Sequence, residues 1–349
     1  MDLFETMREM QFGEVHTCVD EATGLQAVIA IHNTHLGPAI GGCRALHYAS
    51  SDAAIVDAMR LARGMAYKAA AAGLPHGGGK AVIRLPDRPF DRDALFARYA
   101  EFVDQLQGRY LTCIDSGTST ADMDRIAKHT PHVLCTSASS NDPSPWTALG
   151  VRRGIEAAVR HRLGRDSLDG VHIAFQGVGS VGAKVVRQVV ELGARVTIAD
   201  VHGGAVDALA SEVGAKVVPV ESILEVECDV LAPCALGAVL TRHSIPRLRT
   251  SIIAGAANNV LATEADGLEL YRRGILYAPD YVINAGGLMR VSLDLLDDAE
   301  AAERADALVS SLYDTLLAIF ERSDREETAT HRNANRIAEE RMAAAAAAR

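Results

Sequence analysis

The sequence predicts an α/β protein of two domains with a cleft between them, and three observations carry that prediction. With 349 residues the chain is long enough for two cores. A stretch rich in small polar residues and proline, Thr136 to Trp146, reads as the linker. Beyond it, short apolar runs alternate with helical segments, which is the pattern of a parallel sheet covered on both faces. The expected boundaries are residues 1–135 and 136–325, with a C-terminal helix over 326–349 packing back on the first domain.

The elements follow in chain order. Leu25 to His32 is an apolar run that reads as a strand. Ser51-Asp52 can cap a helix reaching about Ala72, with Ile55, Met59 and Ala62 on one stripe. Gly73 stops that helix, and a glycine turn leads into a strand at Ala81 to Leu85. Asp91 to Leu106 reads as a helix, Arg109 to Ile114 as a strand, and Thr120 to His129 as a helix. After the linker comes a helix from Thr147 to Arg162. Strands are expected near 171–176, 195–200, 215–218, 228–232, 251–255 and 275–278. Leu308, Leu312, Leu316 and Phe320 place one long helix over Glu300 to Arg322. The six alanines after Met342 fit either a helix end or a frayed tail.

Bulk composition excludes some function classes. Hydrophobic residues make up 48% and charged residues 23%, an ordinary globular balance. The net charge of −10 argues against nucleic acid or an anionic membrane as the main partner. No window reaches the roughly 18 uncharged apolar residues of a membrane span. The six cysteines form no C-x-x-C pair, which fits a reduced, cytoplasmic protein and core packing. The pairs His32/His35 and His129/His132 lack further ligands at metal-site spacing, so no metal is expected.

Two segments carry chemistry. Val171 to Gln176 reads as a strand running into Gly177-Val178-Gly179-Ser180-Val181-Gly182, followed by a helix and a second strand ending in Asp200. Strand, G-x-G-x-x-G, helix, strand and acid together predict a doubly wound Rossmann domain that binds a dinucleotide. The helix N-terminus would meet the pyrophosphate, and Asp200 would bond the adenosine ribose and repel a 2′-phosphate, which favours NAD over NADP. Gly73 to Lys80, with Lys68 twelve residues before Lys80, is the second segment. A nucleotide phosphate loop is excluded there, because Leu74 replaces the first glycine and Ala81 the Mg²⁺-binding hydroxyl residue. Three glycines that open the backbone to a ligand, then a lysine before an apolar run, fit a small-molecule catalytic site.

These segments carry a family resemblance. Leu36 to Arg44, Gly64 to Lys68, Gly73 to Lys80, Asp115 to Ser119, Ala232 to Gly237, Ala254 to Asn259 and Ala278 to Gly287 resemble amino-acid dehydrogenases of the glutamate/leucine/phenylalanine/valine dehydrogenase family. The leucine dehydrogenase branch is the closest in pattern. The resemblance implies reversible oxidative deamination of an L-amino acid to its 2-oxo acid and ammonia, with NAD as hydride acceptor, in a homo-oligomer. It makes Lys80 and Asp115 catalytic, with Lys80 activating water and Asp115 accepting the amine proton. Lys68 would pair with the substrate carboxylate, beside Gly41, Gly42 and Met65. Thr147, Cys234, Ala235, Asn259 and Asn284 would join the glycine turn around the cofactor. Closure of the cleft about the linker would exclude water.

Substrate choice follows from four positions. Glutamate-reading relatives carry a lysine where Ile40 stands and a small hydroxyl residue where Val291 stands. A side-chain carboxylate buried without a partner would be costly, so the pocket is expected to take an apolar side chain. Cys113, bulkier than the glycine of phenylalanine-reading relatives, favours leucine, valine or isoleucine. Leu288 resembles the aromatic branch, so an aromatic amino acid is the alternative. A catalytically silent NAD-binding regulator is a third reading, opposed by the presence of Lys68, Lys80 and Asp115 together.

Overall fold

The computed structural model describes residues 2–138, 142–235, 237–293 and 301–348. They form two compact units, Met1–Asn141 with Ala338–Arg349, and Asp142–Ile337. The expected two-domain α/β class with a doubly wound second domain is what the chain adopts.

The first unit is built on a mixed five-stranded sheet. Its elements are α1 (Leu3–Glu9), β1 (Glu14–Asp20), β2 (Leu25–Asn33), β3 (Ala39–Leu46), α2 (Ser51–Ala71), β4 (Gly77–Arg84), α3 (Arg92–Asp104), β5 (Tyr110–Ile114) and α4 (Thr120–Ala127). The strand order is β1-β2-β4-β3-β5, with β3 parallel to both β4 and β5 and the β1-β2-β4 pairs antiparallel. Side chains alternate across the sheet. Ala27, Ile29 and Ile31 of β2 enter a core with Leu95, Phe96, Tyr99 and Met123 from α3 and α4. Val28 and Ala30 point the other way, to Ala54, Ala58, Met59 and Ala62 of α2.

Local chemistry explains most boundaries. The cap of α2 is Ser50, whose side chain accepts from the Ala53 N–H at 3.1 Å, one residue before the expected Ser51-Asp52 cap. Asp91 is the N-cap of α3, its side chain accepting from the Asp93 and Ala94 N–H groups. α1, β1 and β3 have no counterpart among the expected elements.

The glycine run differs more. Gly77, Gly78 and Gly79 are the first residues of β4, not a turn, and none has positive φ. Their missing side chains make room for protein rather than ligand. A Cβ on Gly77 would overlap the Asn33 carbonyl, one on Gly78 the Ala66 backbone of α2, and one on Gly79 would lie 2.7 Å from the Tyr110 ring. The left-handed turn residue is Gly73, φ 72°, after α2.

The second unit contains α5 (Ser144–Leu163), β6 (His172–Gln176), α6 (Ser180–Glu191), β7 (Arg195–Ala199), α7 (Gly203–Val213), β8 (Lys216–Val217), β9 (Val230–Pro233), β10 (Ile252–Ile253), α8 (Glu264–Arg272), β11 (Leu276–Tyr277), α9 (Asp280–Ile283), α10 (Gly286–Leu293), α11 (Ala301–Ser310), α12 (Leu312–Arg325) and α13 (Thr330–Ala347). All six strands are parallel, in the order β11-β10-β9-β6-β7-β8, which reverses direction of growth at β6.

Two details revise the expectations. The proposed linker ends early, because α5 begins at Ser144 with Pro145 in its first turn, where a missing N–H costs nothing. Residues 139–141 of that stretch lie outside the described residues. The expected helix over Glu300 to Arg322 is two helices parted at Ser311. Across that break the buried stripe runs Ala305, Val309, Leu312, Leu316, Ile319 and Phe320, so its step shortens from four to three at 309–312. Residue 300 itself is outside the described residues.

The alanine-rich tail is helical, as the end of α13. The unit boundary falls inside this helix, at Ile337/Ala338. Its last turns hold α2 in place. Arg341 Nη1 donates to the carbonyls of Ala70 and Ala71 at 2.8 and 2.7 Å, in the last turn of that helix, where carbonyls lack intrahelical partners further along the chain. Tyr67 donates to Glu339 at 2.7 Å. Hydrogen bonds from a charged donor contribute about 1.5–3 kcal/mol.

Candidate active site

Strand parity assembles a candidate site in the first unit. On β3, Ile40, Gly42 and Arg44 share a face; on β4, Gly78, Lys80 and Val82; on β5 and its extension, Leu111, Cys113 and Asp115. Val82 lies in the core beneath α2, so this is the face that α2 covers. The register sets Gly42 opposite Cys113 and Ile40 opposite Gly78. Met65 and Lys68 stand three residues apart on α2, so they share a face near its C-terminal end.

Lys80 is buried, at 4% exposure, and its Nζ is ion-paired with Asp115 Oδ2. Arg44 Nε donates to the other oxygen, Oδ1, at 2.8 Å. A buried lysine would be costly alone, and the carboxylate offsets that cost. Burial by itself would push the Asp115 carboxyl up, but Lys80 and Arg44 outweigh it and hold the group below the usual carboxylate range. Asp115 is therefore ionised.

Its backbone is held too. The Asp115 N–H donates to Thr118 Oγ1 at 2.9 Å, and that hydroxyl lies 2.9 Å from the Cys43 carbonyl. Gly42 makes the pair possible, since a Cβ there would stand 2.7 Å from Asp115 Cβ and 3.2 Å from Lys80 Nζ. Gly41 has the opposite parity. Its missing side chain admits the Gly79 carbonyl, and its own carbonyl accepts from the Tyr110 hydroxyl at 2.6 Å.

Among the positions singled out for side-chain recognition, Ile40 is fully buried, while Cys113, Leu288 and Val291 keep partial exposure. Leu288 and Val291 lie three residues apart on α10, in the second unit. None of the four carries a charge.

The second unit carries a candidate site of its own at the turn from β6 into α6. Gly177 adopts φ 98° and faces Cys234 and Ala235, whose backbone would stand 2.8–2.9 Å from a Cβ. Gly182 packs against the Gly177 carbonyl, which seats the helix on the turn. Among the described residues, apart from its chain neighbours, no protein atom lies within 4 Å of where a Cβ on Gly179, the N-cap of α6, would be. No side chain caps α6, so the N–H groups of its first turn, from Ser180 and Val181 onward, face outward at the positive end of the helix dipole.

Asp200 follows β7, and its carboxylate accepts from the Val178 N–H at 2.8 Å and the His202 N–H at 3.0 Å. Burial would raise its carboxyl, but the bonds from His202 and Val178 bring it below the ordinary value. Asn284 is buried. Its Nδ2 donates to Asn258 at 2.8 Å and to the Ala256 carbonyl at 3.2 Å, while its Oδ1 has no partner among the described residues. Thr147 Oγ1 bonds the Pro143 carbonyl and lies where a side chain on Gly287 would go. Asn259 is exposed, with φ 51°. Among the described residues, no group of three or more His, Cys, Asp or Glu side chains is placed to hold a metal. No described helix is long and apolar enough to cross a membrane.

Comparison with known proteins decides the family. Residues 9–132 match the model of the Glu/Leu/Phe/Val dehydrogenase dimerisation domain, and residues 199–349 that of the Glutamate/Leucine/Phenylalanine/Valine dehydrogenase domain. The chain belongs to this family. It is an amino-acid dehydrogenase, and the family is nicotinamide-dependent.

Leucine dehydrogenase of Thermoactinomyces intermedius is 44% identical over 98% of this chain and 94% of its own length. L-tryptophan dehydrogenase of Nostoc punctiforme is 44% identical over 98% of this chain and 96% of its own. The crystal structure of an L-tryptophan dehydrogenase from that organism superposes with a TM-score of 0.89, covering 98% of this chain and 99% of that one, at 43% identity.

A nicotinamide dinucleotide fits the second unit. The space beside Gly179, the uncapped α6 terminus and the unpartnered Asn284 Oδ1 are what a pyrophosphate and a carboxamide donor would use. The residue that sequence reasoning left without a role is Arg44. The period-2 relation of Gly42 and Arg44 was the signal that put it beside Lys80 and Asp115.

Proposed function

We propose that this dehydrogenase catalyses the reversible, NAD-dependent oxidative deamination of an apolar L-amino acid, with leucine, valine or isoleucine preferred. The observation that carries the reading is the Lys80–Asp115 ion pair, set on the sheet face that α2 covers, with Gly42 on the strand between the two. In this reading the first unit is catalytic and the second binds NAD. Lys68 holds the substrate α-carboxylate. Asp115, ionised, takes the proton of the substrate amine and returns it to the departing ammonia. Lys80 orients the water that attacks the imine carbon and stabilises the oxygen charge that develops there.

The glycine turn from Gly177 to Gly182 with the α6 terminus would hold the pyrophosphate, Asp200 the adenosine ribose, and Thr147, Asn259 and Asn284 the nicotinamide end. NAD, when bound, accepts the hydride from Cα. Asp200 favours NAD over NADP, because its charge would lie against a 2′-phosphate. The uncharged residues at 40, 113, 288 and 291 support an apolar substrate, since none of the four offers a glutamate side chain a cation. A homo-oligomer formed through the first unit is part of the proposal, supported by the name of the family domain matched there. A cytoplasmic location is the accompanying expectation.

One observation favours a second reading, an aromatic substrate. Tryptophan dehydrogenase is as similar to this chain as leucine dehydrogenase is, and Leu288 follows the aromatic branch. Initial rates of NADH formation with leucine, valine, isoleucine, phenylalanine, tryptophan and glutamate separate the two, run in parallel with NADP⁺. The proposal expects the highest kcat/KM for a branched-chain amino acid with NAD⁺. A tryptophan or phenylalanine maximum would replace it with the aromatic reading, and a glutamate maximum would refute the pocket argument.

A further inference from the structure

We propose that Arg44 is a positioning residue of the active site, holding Asp115 ionised and correctly turned while Asp57 and Tyr48 hold Arg44. The inference rests on the proposed role of Asp115 as proton acceptor. It adds a residue and a partly buried chain of charges behind the pair proposed to touch substrate.

The geometry is a chain of alternating charges. Lys80 Nζ binds Asp115 Oδ2, Arg44 Nε binds Asp115 Oδ1 at 2.8 Å, and Arg44 Nη1 binds Asp57 Oδ2 at 2.9 Å. The Tyr48 hydroxyl donates to Asp57 Oδ2 at 2.8 Å, and Arg60 reaches Asp57 Oδ1 at 3.0 Å. Arg44, Asp57 and Asp115 are each about one-fifth exposed. One cation per carboxylate oxygen leaves Asp115 a single orientation, with the edge on Lys80 fixed by the edge on Arg44.

The planar guanidinium uses two different nitrogens for two carboxylates, which a lysine ammonium cannot match in direction. Four elements contribute: β3 supplies Arg44, β4 Lys80, the end of β5 Asp115, and α2 Asp57. Seating Asp115 is therefore coupled to seating α2, the helix that carries Lys68.

The charges facing Asp115 give the expected pH behaviour. Lys80 from β4 and Arg44 from β3 favour its ionised form, and the Cys43 and Cys113 thiols stand nearby, both pushed up by burial or by Cys135 and so neutral. Behind Arg44 lie Asp57, Tyr48 and Arg60. Asp115 titrates below the ordinary carboxylate value, so its carboxylate survives to lower pH than an isolated one would. Without Arg44 the carboxyl rises toward that value, and the proton acceptor is lost from a higher pH downward.

The test compares wild type, Arg44→Gln and Arg44→Lys in two readouts. The first is the ¹³C shift of the Asp115 side-chain carboxyl across pH, in protein labelled at aspartate and assigned with Asp115→Asn. The second is the acid limb of kcat. We expect Arg44→Gln to raise the carboxyl midpoint by about 1–2 pH units and to move the acid limb the same way. Arg44→Lys, which keeps the charge, should move the midpoint far less while lowering kcat several-fold.

Should Arg44→Gln fail to fold, Arg44→Lys and Tyr48→Phe carry the kinetic test, each lowering kcat with KM little changed. An unmoved midpoint in folded Arg44→Gln overturns the proposal, as does a profile merely scaled down at every pH. The carboxyl titration needs no turnover. A wild type inactive toward every amino acid would therefore refute the proposed reaction, and the midpoint would still decide the place of Arg44.

Discussion

Gly77–Gly79 in β4 and Gly177–Gly182 at the head of α6 are the two glycine-rich segments that point to function, and their geometry is opposite. In β4 the backbone is extended, and every missing Cβ faces protein: Asn33, the Ala66 backbone and the Tyr110 ring. At α6 the first glycine is left-handed against Cys234 and Ala235, the last seats the helix, and the middle one opens on empty space. Glycine in the first unit thus buries a lysine by letting a helix and a strand close together. In the second unit it leaves room for a ligand. A glycine-rich motif therefore reads as a binding loop only where the neighbours leave a side unfilled.

Alanine at one position in each segment breaks or sharpens this contrast. The larger effect is expected for Gly78→Ala. Its methyl would overlap the Ala66 backbone, so α2 must shift off β4, at a cost of about 3 kcal/mol. Urea unfolding measures it, and unchanged stability would mean that α2 is not seated on β4 as described. The smaller effect is expected for Gly179→Ala, which meets no protein atom within 4 Å and should keep its stability within about 0.5 kcal/mol of the parent. Its cost should appear as roughly a tenfold rise in the KM for NAD⁺, corresponding to ~1.4 kcal/mol of lost binding. A destabilised Gly179→Ala with unchanged KM would show that this glycine, too, is there for packing.

The same contrast explains what could be read from sequence. The β6–α6–β7 unit was legible because its signals are local: strand, glycine turn, helix and acid lie within thirty residues, and each acts on its chain neighbours. β7 to β11 were found for a similar reason, as short apolar runs between helices. β3 was missed because Gly41 and Gly42 interrupt its apolar pattern, and the reason for those glycines lies on β4 and β5. The β4 glycines were misread as a turn because the atoms they accommodate, at Asn33, Ala66 and Tyr110, are distant in sequence. The break at Ser311 escaped notice because leucines spaced by four continue across it, while the buried face turns.

The site shows the same division. The roles proposed for Lys80 and Asp115 rest on their flanking segments, and the fold brings the two side chains together. Arg44 stood inside one of those segments without a role, since its partners Asp57 and Asp115 come from α2 and the end of β5. Burial of Lys80 follows from strand parity and the helix above it, neither of which is a property of the motif alone.

The central claim is that hydride leaves Cα of an apolar amino acid in a reaction whose proton acceptor is Asp115. The most direct measurement follows deuterium from L-leucine labelled at Cα, in the presence of NAD⁺, into the products. The account predicts NADH carrying one deuterium at the nicotinamide C4, in step with ammonia release, and no such transfer with Asp115→Asn. Deuterium released to water, or ammonia formed without labelled NADH, would contradict it.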